Sequence, residues 1–238
     1  MLTNHFQHRI EKEEINTLPL AEFHGEVIVV RNQETLDEAL GYLGKQHCVG
    51  VDTETRPSFE KGQHFPTALL QIATTKRCYL FQLRYTGFTP AMADFFANPA
   101  VCKVGLAFHD DITGLQRLHP FTPTNCIDLQ KIVLKYGILD LGLQKMFAII
   151  FHQKISKSQQ LTNWENPVLT PEQARYAATD AWATLLIYKQ LRRTRQLPRA
   201  AYLHLRQDDL LLQQQHQLLI QQQRQTDISH DPHLSQET

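Results

Sequence analysis

Three stretches of this sequence place acids where an apolar element ends or packs. Val49-Gly50-Val51 runs into Asp52-Thr53-Glu54. Residues i and i+2 of a strand share a face, so Asp52 and Glu54 stand side by side. Like-charge repulsion makes that costly unless a cation neutralises them, and Mg²⁺ favours oxygen ligands. Taken alone, the pair reads equally as an exposed acidic strand end. A second apolar run, Lys103 to Ala107, leads to Asp110 and Asp111. Both also suit the first turn of a helix, where orphan N–H groups and the helix dipole favour acids. In the third stretch, Tyr176 and Asp180 are i, i+4 on a helix and share one face. Ala174, Ala177, Ala178, Ala181 and Ala183 surround them, and such small residues let the helix approach another element closely. An acid on a close-packed face is expensive unless paired or metal-bound. Carboxylates gathered from three such places are what two divalent ions about 3.5–4 Å apart require. One ion then activates water and the other stabilises the leaving oxygen of a phosphodiester.

Apolar periodicity predicts the elements that hold these residues. Strands are expected at Val27–Val30, Cys48–Asp52, Thr67–Ala73, Cys78–Leu83 and Lys103–Ala107, the third and fourth forming a hairpin. Leu36, Ala39, Leu40 and Leu43 recur at helical spacing over Glu34–Leu43. Further helices are expected at Pro90–Asn98, Asp111–Leu118 and Leu141–Phe151, while Ile127–Val133 mixes both signals. Pro57, Gly62 and Pro66 mark 56–66 as a loop. Thr170, Pro171 and Gln173 make a capping box with proline at N1. They open a long helix reaching about Arg195, and Pro198 starts another. The expected organisation is a polar lead-in at 1–24, one mixed-sheet α/β domain at 25–197, a Gln-rich helical extension at 198–225 and a disordered tail at 226–238. Leu203, Leu210, Leu211 and Leu218 recur at about seven residues. The extension therefore packs on the domain or contacts another protein.

Composition narrows the class. The 238 residues are 42% hydrophobic and 20% charged, with 24 basic and 24 acidic side chains balancing to zero. This excludes a mainly disordered chain and a uniformly basic surface. The N-terminus is polar, and the longest apolar stretch, Met146–Phe151, falls far short of the roughly 20 residues that span a bilayer. The expectation is a cytoplasmic protein with no membrane contact. The 4 cysteines form no C-x-x-C pair and read as core thiols; the 12 histidines show no zinc-site spacing. Lys189, Arg192, Arg193, Arg195, Arg199 and Arg206 occur without an intervening acid, and Lys154, Lys157 and Arg175 lie near the acidic motifs. Neutral overall charge is thus compatible with salt-sensitive, metal-dependent binding of nucleic acid at one cleft.

Val51-Asp52-Thr53-Glu54, Lys103-Val104-Gly105 followed by Asp111, Leu161-Thr162-Asn163-Trp164, and Tyr176 through Ala181 resemble, in order and spacing, the motifs of the DEDDy-type 3′–5′ exonucleases. This is the ribonuclease D-like group, and the likeness to the Werner-syndrome-type exonuclease domain is marked. It extends from about Val27 to about Leu191. The resemblance implies an RNase H-like (DnaQ-like exonuclease) α/β fold, a mixed five- or six-stranded sheet flanked by helices. It implies hydrolysis at a single-stranded 3′ end of DNA or RNA, releasing nucleoside 5′-monophosphates. Asp52, Glu54, Asp111 and Asp180 would hold two Mg²⁺ or Mn²⁺ ions, and Tyr176 would orient the attacking water. Asp111 is preferred to Asp110 because Leu115 follows it in the D-x-x-x-L register of the family. Thr53, Asn163 and Trp164 are candidate substrate contacts, although Trp164 reads equally as a packing anchor. Two departures bear on substrate contacts: Leu161-Thr162 where the family often carries a small residue or serine, and Arg56 where an aromatic often precedes the proline. The alternative function is a catalytically silent nucleic-acid-binding module on the same fold.

Overall fold

Alternating apolar residues of the expected strands build a single mixed sheet. The computed structural model describes residues 6–229 apart from positions 59, 61 and 64. The strands are β1 (Glu26–Val30), β2 (Cys48–Thr55), β3 (Thr67–Ala73), β4 (Arg77–Gln82), β5 (Cys102–Gly105) and β6 (Cys126–Asp128). They form a 6-stranded sheet in the order β1-β4-β3-β2-β5-β6. β2, β3 and β4 are antiparallel neighbours, while β1 on β4, β5 on β2 and β6 on β5 are parallel. The described helices are α1 (Lys12–Thr17), α2 (Gln33–Leu43), α3 (Leu83–Thr86), α4 (Pro90–Ala97), α5 (Phe108–Leu118), α6 (Leu129–Ile132), α7 (Leu143–Phe151), α8 (Pro171–Arg193) and α9 (Arg199–Ser229).

The two faces of the sheet are packed differently. On one, Val49, Val51, Leu70, Ile72, Tyr79 and Phe81 meet apolar side chains of α2, α4 and α5. On the other, Leu69, Ala73, Cys78 and Leu80 lie against Ala177, Ala178 and Ala181 of α8. Period-2 alternation in β2 and β3 sorts residues between these faces. α8 comes close because Gly50 has no side chain. A Cβ there would lie 1.9 Å from the Ala181 carbonyl oxygen. The start of α8 follows the expected capping box: Thr170 Oγ1 accepts from the Gln173 N–H at 3.1 Å, and the Gln173 side chain accepts from the Thr170 N–H at 3.0 Å.

Differences from the sequence expectation have local causes. β5 stops at Gly105 because Ala107 adopts a left-handed conformation (φ 50°) and turns the chain into α5 at Phe108. The ambiguous Ile127–Val133 segment divides into the end of β6, the single turn α6 and a 3₁₀ turn. The polar lead-in is tied into the fold, since Ile10, Ile15, Ala21 and Phe23 are buried. Its backbone is paired too: the Ile10 N–H donates to Asp140 at 2.9 Å, the Ala21 N–H to Lys154 O at 2.8 Å, and the Phe23 N–H to Thr179 Oγ1 at 3.0 Å. Sparse apolar residues in a polar stretch suffice when their backbone finds partners.

The described residues from Gln196 onward form a second unit. Its described part includes α9, which continues to Ser229 and so takes in the first four residues of the tail expected to be disordered at 226–238; the rest of that tail, 230–238, lies outside the described residues. No described helix is long and apolar enough to cross a membrane. All four cysteines are free thiols.

Candidate active site

β2 carries Asp52 and Glu54 on the face covered by α8, and α8 returns Asp180 to the same place. Ligand-capable oxygens of Asp52, Glu54 and Asp180 all lie within 4.8 Å of one another. Close packing of the glycine and alanine surfaces makes this approach possible. Beyond Glu54 the register of β2 on β3 shifts, which bends a strand and re-aims its end.

Without a cation, this grouping is electrostatically unfavourable. Burial, then the neighbouring Asp180, hold the Asp52 carboxyl well above its usual range. Glu54 is pushed up to about 10 by burial and by the charges of Asp52, Asp180 and Asp111. Burial raises Asp180 to about 7, against the opposing effects of a Tyr176 hydrogen bond and the Lys157 charge. The Tyr176 hydroxyl also moves upward, through burial and then the adjacent acids. These are the expected signs for carboxylates crowded out of water. An oxygen-only donor set crowded to this degree fits a hard divalent cation.

Asp111 stands slightly apart. It is half-buried and accepts the Thr53 hydroxyl, whereas its neighbour Asp110 is exposed. Burial and the charge of Asp52 raise its carboxyl. Thr53 separates two hollows. One, of about 340 Å³, is lined by Asp52, Glu54, Tyr176, Asp180, Lys157 and Gln160 among others. The other, of about 780 Å³, is lined by Asp111, Arg56, Phe65 and Arg117 among others. Arg56, at the departure from the family pattern, stacks its guanidinium 4.8 Å from the Phe65 ring centre and pairs with Glu165 at 3.6 Å.

The other expected contacts fall differently. Trp164 is 1% exposed and lies behind Tyr176, with ring centres 5.9 Å apart. That burial favours its reading as a packing anchor over that of a base platform. Asn163 is exposed and its side chain accepts from the Glu165 N–H at 3.0 Å, which shapes the loop before α8. Lys103 is fully buried and donates to the Asn98 carbonyl at 2.8 Å. Of the basic residues near the motifs, Lys157 lines the acidic hollow. Lys154 instead donates to Asn16 O at 2.6 Å, and Arg175 pairs with Glu22 at 3.9 Å.

Two residues gain a place at the site that the sequence did not give them. Lys157 could be noted from its charge but not placed in the hollow. Gln71 sits opposite Asp52 in the β2–β3 register, is fully buried, and has no hydrogen-bond partner for either side-chain polar atom. A glutamine inside Leu69-Leu70-Gln71-Ile72-Ala73 is a visible break in an apolar strand.

Comparison with known proteins agrees with this architecture. The mouse bifunctional 3′–5′ exonuclease/ATP-dependent helicase WRN is 28% identical over 188 residues, covering 74% of this chain and 13% of that protein. The solved Nibbler EXO domain of Aedes aegypti superposes with a TM-score of 0.65 at 24% identity, covering 78% of this chain and 99% of that one. Escherichia coli RNase D gives a TM-score of 0.63 at 20% identity, covering 71% and 44% respectively. Matches to longer curated relatives cover 13 to 40% of their lengths. The six-stranded mixed sheet shared with these structures is the RNase H-like fold. The 3′–5′ exonuclease domain family matches residues 27–196, most of the sequence and all of the acidic site, and the chain belongs to that family.

Proposed function

We propose that this protein is a 3′–5′ exonuclease that hydrolyses phosphodiester bonds at a single-stranded 3′ end of DNA or RNA and releases nucleoside 5′-monophosphates. The observation that carries the reading is the meeting of Asp52, Glu54 and Asp180 within 4.8 Å, with Tyr176 on the wall of the same hollow. Asp52, Glu54 and Asp180, with Asp111 beyond Thr53, would hold two divalent cations, Mg²⁺ or Mn²⁺. When bound, these supply Lewis acidity toward water and toward the phosphodiester oxygens.

The chain's own side chains do the rest. Burial and surrounding acids keep the Tyr176 hydroxyl protonated, so it orients a water by hydrogen bonding and does not act as a strong base. Lys157, on the same wall, places a positive charge where an incoming phosphate must pass. Thr53 holds the Asp111 carboxylate and thereby restricts its orientation. Nucleic acid is the substrate class that suits a hollow combining an acidic cation site with a nearby lysine. A cytoplasmic location belongs to the same proposal, since four free thiols suit a reducing compartment.

A 5′-labelled oligonucleotide incubated with Mn²⁺ should shorten stepwise from its 3′ end and stay intact with EDTA. Asp52→Ala should lower the rate by at least about a thousandfold, the scale of several kcal/mol of lost metal assistance. Its metal-free melting temperature should be no lower than that of the wild type, because a half-buried carboxyl crowded by other acids is removed. Wild-type-like cleavage by this variant would sink the assignment of the acidic site, whereas a wild type that binds the oligonucleotide without shortening it would leave the silent binding module standing. Parallel assays on 3′-recessed duplex DNA, single-stranded DNA and single-stranded RNA rank the substrates.

A further inference from the structure

The side chain of Gln71 is the clearest anomaly in the core. It is fully buried, and neither its Nε2 nor its Oε1 has a hydrogen-bond partner. Buried amides are almost always satisfied, and an exception in a native fold calls for a physical reason such as a missing ion or water. The position supplies one. Gln71 lies directly opposite Asp52 across the β2–β3 ladder, and directly opposed residues project from the same face with Cβ atoms about 4.5–5.5 Å apart. The shared face is the one covered by α8, where Leu69 and Ala73, two residues to either side of Gln71, pack on its alanines.

A carboxylate that ligates a cation is ordinarily held by a second group that fixes its orientation. We propose that Gln71 is a positioning residue for the metal site, its amide donating to Asp52 when that carboxylate is ionised and cation-bound. The inference rests on the metal-site reading above, and it adds a residue from β3 to a site otherwise drawn from β2, α5 and α8.

Gln71→Met keeps the length of the side chain and removes the amide. Mn²⁺ affinity is read by electron paramagnetic resonance titration without nucleic acid, beside the melting temperature in EDTA. The expected result is affinity weakened by about 10-fold or more, with a metal-free melting temperature equal to or above that of the wild type. A purely structural amide predicts the same melting behaviour but Mn²⁺ affinity within about twofold of wild type, and that outcome overturns the proposal. A second measurement does not depend on the variant folding. In the wild type, the Gln71 side-chain NH₂ pair should shift and exchange more slowly when Mg²⁺ is added; an unmoved pair also overturns the proposal. Failure of the wild type to bind Mn²⁺ removes the metal reading itself, and this inference with it. Normal wild-type binding with an unaffected variant removes this inference alone.

Discussion

The two faces of the central sheet divide the work of the molecule between them. Val49, Val51, Leu70 and Ile72 point into a layer of aliphatic and aromatic side chains from α2, α4 and α5. The residues between them, Gly50, Asp52 and Gln71, point toward α8. That second face holds the close glycine contact, the clustered acids and the unsatisfied glutamine. The other unpaired buried side-chain atom among the described residues, Trp164 Nε1, belongs to the same layer, behind Tyr176. Neighbouring residues of one strand thus serve opposite ends. One side buries only apolar area, and the other also keeps polar groups in unfavourable surroundings that a cation would relieve. Sites with unsatisfied or repelling groups are tolerated when the rest of the fold is stable enough to hold them.

Substitutions at adjacent positions of β2 probe this division. Among substitutions that leave the acids in place, the largest effect is expected from Gly50→Ala. Its new Cβ would meet the Ala181 carbonyl at 1.9 Å and the Thr184 hydroxyl at 2.7 Å, and backbone cannot yield cheaply. α8 must move outward and take Asp180 and Tyr176 with it. Cleavage should fall at least about 100-fold, as expected when reacting groups are misplaced by about 1 Å, together with a clear loss in urea stability. Retention of both activity and stability would remove the argument for close approach. A smaller effect is expected from Val51→Ala on the opposite face. Truncating this fully buried side chain should cost about 2 kcal/mol in urea unfolding, with Mn²⁺ affinity unchanged. A large fall in affinity without loss of stability would show that the faces do not act separately.

The smallest effect is on pH dependence. Without metal, burial pushes Asp180 up to about 7, and burial with the neighbouring acids pushes Glu54 up to about 10, against ordinary values of 3.8 and 4.5. The folded form therefore binds more protons than the unfolded form between those limits. The stabilising contribution is complete below about pH 4 and is lost as pH rises through the folded-state values. In EDTA, Glu54→Gln should flatten the decline in melting temperature between pH 5 and 8 relative to wild type. Mn²⁺ should oppose that decline, since it binds the deprotonated carboxylates. A wild-type contribution from Glu54 that grows with pH would contradict the proposed burial of its acid form.

Local pattern was enough for much of this molecule. The strands of the hairpin, the α2 stripe of Leu36, Ala39 and Leu43, and the Thr170/Gln173 capping box are written in spacings of a few residues. Hydrophobic period and cap chemistry act over that range. Asp52 and Glu54 were likewise legible as a pair, because alternation along a strand decides which face each occupies. Ordered motifs carried the recognition of the family.

What local pattern could not supply is which distant atoms meet. Asp180 reaches Asp52 only through the packing of α8 on Gly50, and Thr53 reaches Asp111 only because α5 follows a left-handed turn at Ala107. In sequence Gln71 is only one polar residue inside an apolar strand, and the β2–β3 register is what sets it opposite Asp52. The sparse Ile10, Ile15 and Phe23 gave no period, yet their burial ties the lead-in to the domain. Spacing along a chain determines faces and periods, whereas contacts between faces depend on register, helix approach and backbone partners, which exist only once the whole sheet has assembled.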